Sequence, residues 1–362
     1  MRPAPKRALR WGLAAAGLLA VGAAALATWG WWDLQRPHAG FAGERRVEVA
    51  SGASGLAILA RLEAEGVIRD ARLARLWLLA QGDPPLQAGE YLFRAPLTTP
   101  QALGKVIRGD VASHRVTLVE GWTLEETAAH LASEGFGALD AFLAAMRDPS
   151  PIADLDPGAP DLEGYLFPDS YSFTRGTSEG EVVLALVRNF RRRWRERVDP
   201  ELPKDGGRTV RELVTLASIV EKEARLAEER ALIAAVYANR LDQGMGLFAD
   251  PTVIYALKKA GRWDGNIRRA DLAMDSPYNT YRFSGLPPGP IASPGLGSLR
   301  AAAAPADVPY LYFVARNDGS HVFATTLQEH NRNVHQWQRL YWRERRAQGG
   351  GARPTPPAPT GR

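Results

Sequence analysis

An uncharged segment near the N-terminus constrains this chain more than any other feature. The run from Trp11 to Trp32 holds 22 residues without a charged side chain and ends at Asp33. As a helix it would extend about 33 Å at roughly 1.5 Å per residue, enough to cross the bilayer core of about 30 Å once. Three tryptophans close the run, as in an interfacial aromatic belt. We therefore predict a transmembrane helix over residues 11–32.

The residues on either side of this segment predict its orientation. Residues 1–10 carry four basic side chains, which should stay in the cytoplasm as a basic tail and place everything after Asp33 outside. A cleaved signal peptide is the alternative, with Ala23–Ala25 imitating the small residues of a cleavage site. Because the apolar run continues beyond these alanines to the tryptophans, a retained anchor is favoured. A single span with a large outer portion excludes channels and multi-span transporters.

Composition narrows the possible functions of the outer portion. The 45 lysines and arginines exceed the 40 aspartates and glutamates by only five charges, too few to indicate nucleic-acid binding. The chain has no cysteine, which excludes zinc fingers, thiol nucleophiles and disulfide frameworks. No P-loop, dinucleotide fingerprint or Gly-x-Ser-x-Gly motif occurs, and His321 and His330 lack the spacing of a metal site. We expect neither a cofactor nor a metal.

Hydrophobic patterning divides the outer portion into two folded domains and a tail. Residues 45–112 form a small β-α-α-β module, with strands at 46–49 and 89–93 flanking two helices, followed by a helix with Thr99 as N-cap. Residues 116–345 mix helices with short strands at 116–119 and 310–314, which predicts an α+β domain. Residues 348–362 are rich in Gly and Pro and are predicted to be disordered.

The strongest candidate for chemistry lies on the helix predicted from Thr209 onward, which begins with a capping box completed by Glu212. Glu223 falls in the apolar stripe of this helix, seven residues after Leu216. A carboxyl on that face is partly desolvated, which raises its pKa and suits a general acid. Glu221 lies about 200° further around the helix. The alternative is that both glutamates are surface charges at a helix end.

Two further clusters carry polar side chains, and the second of them has a pattern that suits sugar binding. Asp250-Pro251-Thr252 predicts a turn into a helix with Asp250 as its cap. Residues 276–281 and 285–291 interleave hydroxyl and amide groups with aromatic rings, which can hydrogen-bond sugar hydroxyls and stack on sugar faces. An ordinary loop rich in Pro and Gly is the alternative for the second cluster.

Taken together, these segments resemble the MltG (YceG-like) endolytic murein transglycosylases over nearly the whole chain. The resemblance rests on motifs in the same order along the sequence, namely EGYLFPDSY at 163–171, LASIVEKEA at 216–224, DPTVIY at 250–255, YNTY at 278–281, GLPPGPI at 285–291, SPG at 293–295 and YLYFV at 310–314.

The resemblance implies an activity, a location and a set of partners. It implies a LysM-like peptidoglycan-binding subdomain at 45–112 and a catalytic transglycosylase domain at 116–345 on the periplasmic side of the inner membrane. The substrate is the nascent glycan strand, cut between MurNAc and GlcNAc without water to leave 1,6-anhydro-MurNAc ends, and no cofactor is required. The lipid bilayer and cell-wall synthesis proteins are the other expected partners.

The resemblance also assigns roles to residues. The second glutamate of its Glu-Lys-Glu motif, here Glu223, is catalytic, in agreement with the stripe. Our own candidates for positioning glycan are Asp250, Thr252, Tyr278, Asn279, Tyr281 and Glu163. The alternative for Asp250 is a helix cap alone, and the alternative for Glu163 is a structural role. The chain departs from many relatives at Ala224, where they have a hydroxyl residue, and at Phe248, where they have Gln.

Two alternatives to the transglycosylase remain open at this point. One is a peptidoglycan-binding scaffold without activity, which predicts loss of Glu223, although this glutamate is present. The other is a hydrolytic muramidase, which predicts reducing sugar ends and a second carboxylate roughly 5–10 Å from Glu223.

Overall fold

The structure of the protein is a computed structural model that describes residues 6–202, 207–316 and 318–340. The chain forms two compact units, Met1–His114 with Ser172–Gly176, and Arg115–Tyr171 with Thr177–Arg362. Both contain helices and short strands, so the predicted α+β class is confirmed at that level. The predicted tail at 348–362 and the first half of the basic tail lie outside the described residues.

The first unit begins with a long helix, α1 (Lys6–Gln35), that contains the predicted apolar segment. Its residues Leu13–Gln35 are long and apolar enough to cross a membrane, with a mean hydropathy of 1.7. At the end of α1, Asp33 is buried and pairs with Arg69 at 3.3 Å. Helix α1 contacts two other helices of the same unit.

The rest of the first unit is a small layer of helices on one antiparallel strand pair. Its elements are β1 (Arg45–Val49), α2 (Gly55–Ala64), α3 (Ala71–Ala80), β2 (Gly89–Phe93) and α4 (Thr99–Arg108). Strands β1 and β2 pair antiparallel with Val47 opposite Tyr91. Alternate strand residues face inward, and these and the apolar faces of the three helices form one core that includes Leu59, Leu62 and Leu103.

The second unit is mostly helical. Its helices are α5 (Leu124–Ser133), α6 (Leu139–Met146), α7 (Glu179–Arg197), α8 (Val210–Glu223), α9 (Arg230–Asp242), α10 (Asp250–Lys259), α11 (Leu296–Ala303) and α12 (Leu327–Val334). In this unit, strands β5 (Tyr312–Ala315) and β6 (His321–Ala324) form a two-stranded sheet. Strands β3 (Ser113–Thr117) and β4 (Ser170–Thr174) form another, and each of these two strands has residues in both units. In β5 and β6, Phe313 is opposite Phe323.

Helix α8 is the centre of the second unit. The capping box predicted at Thr209 and Glu212 is present, and every residue from Leu213 to Val220 is buried. A helix buried on all sides needs neighbours around it, and α9, α10 and α11 all pack against α8. The apolar surface is therefore wider than the single stripe predicted from the sequence.

Several element boundaries differ from the predictions. The N-cap of α4 is Thr98 and not Thr99, because Thr98 forms a reciprocal capping box with Gln101. The strand predicted at 116–119 is β3 at Ser113–Thr117, and the strand predicted at 310–314 is β5 at Tyr312–Ala315. Only Val314 of β5 is buried, since this strand belongs to a two-stranded sheet and is not enclosed on both faces.

Candidate active site

The end of helix α8 positions Glu223. This residue is the last of the helix, because Ala224 turns to an extended conformation at φ −74° and ψ 121°. The buried turns before it fix the direction of the helix, while its final turn reaches a partly accessible position. The negative end of the helix dipole disfavours a carboxylate at this point. Stability alone therefore does not account for a glutamate here.

The surroundings of Glu223 hold its protonation equilibrium near neutral pH. Burial is the main reason that the pKa of Glu223 is raised to about 7, and the negative charge of Asp250 also raises it. The hydroxyl of Tyr237 donates to Glu223 Oε1 at 3.0 Å, and together with the positive charge of Arg240 it limits the rise. Both the protonated and the ionised forms are thus populated near pH 7, as a group that first gives and then takes a proton requires.

Helix α9 supplies Tyr237 and Arg240, which are three residues apart and therefore lie on the same face of the helix. Tyr237 is buried, and its ring meets Phe313 edge-on at 5.8 Å. Arg240 donates to the carbonyl oxygens of Leu311 at 2.6 Å and Leu247 at 2.7 Å. Sequence reasoning missed both residues. The available signal was a Tyr and an Arg on one face of an alanine-rich helix.

Asp250 belongs to the same group of side chains as Glu223, but not as a helix cap. The prediction that Asp250 caps α10 is wrong, because the N-cap is Ala249 and Asp250 is the first helical residue. Its Oδ1 instead accepts a hydrogen bond from the hydroxyl of Tyr281 at 2.6 Å. Burial, Asp250 and the charge of Glu223 all raise the pKa of Tyr281. The structure therefore brings together three of the predicted residues, Glu223, Asp250 and Tyr281.

Two other predicted residues hold the loop that carries Tyr281. Thr252 is buried, and its hydroxyl lies 2.7 Å from the carbonyl oxygen of Ala249 and 2.9 Å from the hydroxyl of Thr280. Asn279 is also buried, and its Nδ2 donates to the carbonyl oxygens of Leu272 and Met274. Its Oδ1 accepts from the backbone N–H of Tyr281. Both side chains hydrogen-bond within the protein and fix the position of Tyr281.

The remaining two predicted residues, Glu163 and Tyr278, form a second group. Glu163 is buried and accepts from the backbone N–H of Leu124 and from the hydroxyl of Tyr255 at 3.2 Å. Burial raises the pKa of Glu163 to about 8. The ring of Tyr278 lies 4.9 Å from that of Tyr255, and burial together with nearby carboxylates raises the pKa of Tyr278 to about 12. Roles for these two in glycan binding stay a prediction.

Glu221 has partners different from those of Glu223, as the helical geometry requires. Its Oε2 accepts from the backbone N–H of Gly295 at 3.0 Å, and its Oε1 is 3.8 Å from Arg230. Between the two glutamates, Lys222 donates to the carbonyl oxygen of Gly121 at 3.0 Å. The side chains before Glu223 thus tie the end of α8 to neighbouring segments. Within the described residues, no group of three or more His, Asp or Glu side chains could hold a metal ion.

Comparison with known proteins places the chain in a family. The YceG-like family model matches residues 47–336. The chain belongs to the YceG-like family. A protein of Bacillus subtilis named endolytic murein transglycosylase is 34% identical to it over an alignment of 302 positions, and the match covers 79% of this chain and 82% of that protein. A Streptococcus pneumoniae D39 protein of the same name is 30% identical, and the match covers 80% of this chain and 57% of that longer protein.

A solved structure in the YceG-like family shows the same fold. The crystal structure of a YceG-like protein from Listeria monocytogenes matches this chain with a TM-score of 0.55 and 33% sequence identity. The match covers 80% of this chain and 98% of that one. The family resemblance inferred from the sequence motifs is therefore confirmed.

Proposed function

We propose that this chain is a membrane-anchored endolytic lytic transglycosylase that cuts the MurNAc–GlcNAc bond of nascent peptidoglycan strands, with Glu223 as its catalytic acid and base. Two relatives in the family carry the name endolytic murein transglycosylase. The observation that carries the assignment to Glu223 is its partly buried carboxyl at the end of α8, with a pKa raised to about 7.

In the first step, protonated Glu223 gives its proton to the glycosidic oxygen as the bond from C1 of MurNAc to that oxygen breaks. The sugar passes through an oxocarbenium-like transition state, which the substrate's own N-acetyl group can support. Glu223 becomes a carboxylate in this step. The hydroxyl of Tyr237, 3.0 Å from Oε1, stabilises that new charge, because hydrogen bonds to ionised groups are stronger than those to neutral ones.

In the second step, the C6 hydroxyl of the same MurNAc attacks C1. Ionised Glu223 accepts the proton of this hydroxyl and returns to its starting form. The product carries a 1,6-anhydro ring, the released GlcNAc has gained the first proton, and no water is consumed. One carboxyl serves both steps, so a pKa near the working pH favours it in both roles.

A hydrolytic muramidase would need a second carboxylate near Glu223. Asp250 is the acidic group whose charge raises the pKa of Glu223. Its Oδ1 accepts from Tyr281 at 2.6 Å, and the bond from that hydroxyl makes the carboxylate a weaker nucleophile or base. This contact favours a role for Asp250 in positioning the loop that carries Tyr281 and in raising the pKa of Glu223.

The anchor and the first unit fit the same function. Helix α1 supplies a span at Leu13–Gln35, and the basic residues before it favour a cytoplasmic N-terminus and a periplasmic catalytic domain at the inner membrane. In the LysM-like subdomain that we propose for residues 45–112, a cavity of about 390 Å³ lies between the loop after β1 and the loop after α3, and Ser54, Arg75 and Asp83 are among its lining. We assign glycan-strand binding to this subdomain and expect cell-wall synthesis proteins as partners.

The experiment that tests this function is a digest of purified peptidoglycan with the full-length protein in detergent. The wild type is compared with Glu223→Gln and with Glu228→Gln, whose glutamate is exposed. Products are read by mass spectrometry, in which an anhydro end is about 18 Da lighter than a hydrolytic end.

We expect anhydro ends from the wild type and from Glu228→Gln, and none from Glu223→Gln. Reducing ends would instead indicate a hydrolytic muramidase. Binding of glycan without any cleavage by the wild type would support a scaffold, and equal activity of the two variants would contradict the role of Glu223.

A further inference from the structure

Phe248 has a backbone conformation that a bulky residue rarely adopts. Its φ is +51°, in the left-handed region, and Asp83 is the one other non-glycine residue with a positive φ in the part of the chain that the structure describes. Aspartate tolerates this region, whereas a phenylalanine there is an outlier. Phe248 is also 50% exposed. The strain therefore does not serve to bury the side chain.

The protein holds this conformation from both sides of the residue. Arg240 donates to the carbonyl oxygen of Leu247, directly before Phe248, at 2.7 Å. The backbone N–H of Phe248 donates to the carbonyl oxygen of Thr280 at 3.3 Å. Strained conformations persist where surrounding contacts fix them, and they are concentrated at binding and catalytic sites.

The ring itself has a defined seat. A Cβ atom at Gly246 would lie 2.8 Å from Phe248 Cζ, so the absence of a side chain at Gly246 makes room for the ring. The ring of Tyr281 is 5.5 Å away, and the guanidinium of Arg240 is 6.0 Å from the ring centre. The ring is thus supported on several sides while the residue remains half exposed to solvent.

The supports of this ring are also the neighbours of Glu223. Arg240 lies three residues after Tyr237 on α9, and the hydroxyl of Tyr237 donates to Glu223 Oε1 at 3.0 Å. Tyr281 donates to Asp250 at 2.6 Å, and the charge of Asp250 acts on Glu223. We propose that Phe248 is a stacking platform for the apolar face of a sugar ring in the glycan strand bound at Glu223. This inference rests on the proposed function, since it names the side chain that holds the substrate at the same site.

The physical reason is that an aromatic ring and the C–H face of a pyranose exclude water from each other, while the polar edges of the sugar remain free for hydrogen bonds. A ring fixed in advance loses little conformational entropy on binding. The strained backbone and the open ring face of Phe248 are both explained if the ring binds substrate, and neither is explained by packing.

The test measures binding without cleavage. All variants are made in full-length protein that carries Glu223→Gln, and binding to uncross-linked glycan strands is measured by calorimetry. Phe248→Gly removes both the ring and the backbone strain, Phe248→Tyr restores an aromatic face, and Phe283→Ala removes another exposed aromatic ring, 43% accessible, as a matched control.

We expect Phe248→Gly to weaken binding by about tenfold, the value of one well-placed aromatic contact. The glycan affinities of Phe248→Tyr and Phe283→Ala should stay within about twofold of that of the protein carrying Glu223→Gln alone. The thermal midpoint of Phe248→Gly should be equal to or above that of the parent, because glycine adopts the left-handed region without strain. The same substitution in the active enzyme should raise KM more than it lowers kcat.

Unchanged glycan affinity in Phe248→Gly would overturn the proposal, and so would a lowered thermal midpoint together with no recovery in Phe248→Tyr. Failure of the proposed function would be seen separately, as an absence of anhydro ends from the wild type, because the binding readout needs no cleavage.

Discussion

The raised pKa of Glu223 predicts a stability cost that depends on pH. Its pKa is about 7 in the folded protein, against the 4.5 that is ordinary for a glutamate, so the folded protein binds this proton more tightly than the unfolded chain does. The resulting contribution to stability is fully present below about pH 4.5 and is lost as the pH rises through about 7. A difference of about 2.5 pH units corresponds to about 3 kcal/mol in the free energy of unfolding.

Replacing Glu223 by Gln should remove that cost, because the amide stays neutral and can still accept the hydrogen bond of Tyr237. We expect Glu223→Gln to leave the free energy of unfolding nearly unchanged at pH 4 and to raise it by about 3 kcal/mol at pH 8. Urea unfolding of the full-length protein in detergent, followed by tryptophan fluorescence between these pH values, measures the difference. Glu163 is present in both proteins, so its contribution cancels in the difference between their free energies of unfolding.

Glu228→Gln is the matched control, since its glutamate is exposed, and its effect on the unfolding free energy should be the same at both pH values. If the difference between the wild type and Glu223→Gln does not grow with pH, Glu223 behaves as an ordinary ionised carboxylate. The physical basis for its role as a general acid would then be refuted.

Two further predictions test the neighbours of the site. Tyr237→Phe removes the hydrogen bond to Glu223, which stabilises the ionised carboxylate more than the neutral acid, so the pKa of Glu223 should rise by about one unit. The alkaline limb of the pH profile of kcat/KM should move to higher pH by the same amount. A limb that does not move would contradict this prediction. Gly164 has φ +85°, and a Cβ there would lie 2.5 Å from Pro290. Gly164→Ala should therefore cost about 3 kcal/mol in thermal or urea unfolding, against about 1 kcal/mol for Gly244→Ala, where no atom lies within 4 Å of the added Cβ; equal costs would refute the steric argument.

Local sequence signals predicted the parts of the fold that depend on near neighbours. The capping box that begins with Thr209 is present, because it needs a side chain three residues away and nothing else. Helical periodicity predicted that Glu223 lies on the apolar side of its helix. In the structure its carboxyl accepts a hydrogen bond from Tyr237 of the neighbouring helix α9.

Tertiary contacts decided the parts that the sequence did not predict. Aspartate is a residue type that often caps helices, but Oδ1 of Asp250 accepts a hydrogen bond from the hydroxyl of Tyr281, 31 positions further along the chain. Tyr237 and Arg240 lie on α9, and no local pattern indicates that α9 packs beside the end of α8. The strain at Phe248 is likewise visible only in the backbone angle, not in the residue type.

The reaction itself can be tested most directly by following water. The full-length protein is incubated with peptidoglycan in water enriched in heavy oxygen, and the new glycan ends are analysed by mass spectrometry. We predict anhydro ends that contain no heavy oxygen, because the C6 hydroxyl that attacks C1 comes from the substrate. Heavy oxygen at C1 of new reducing ends, lost in Glu223→Gln, would show hydrolysis and would contradict the proposed transglycosylase.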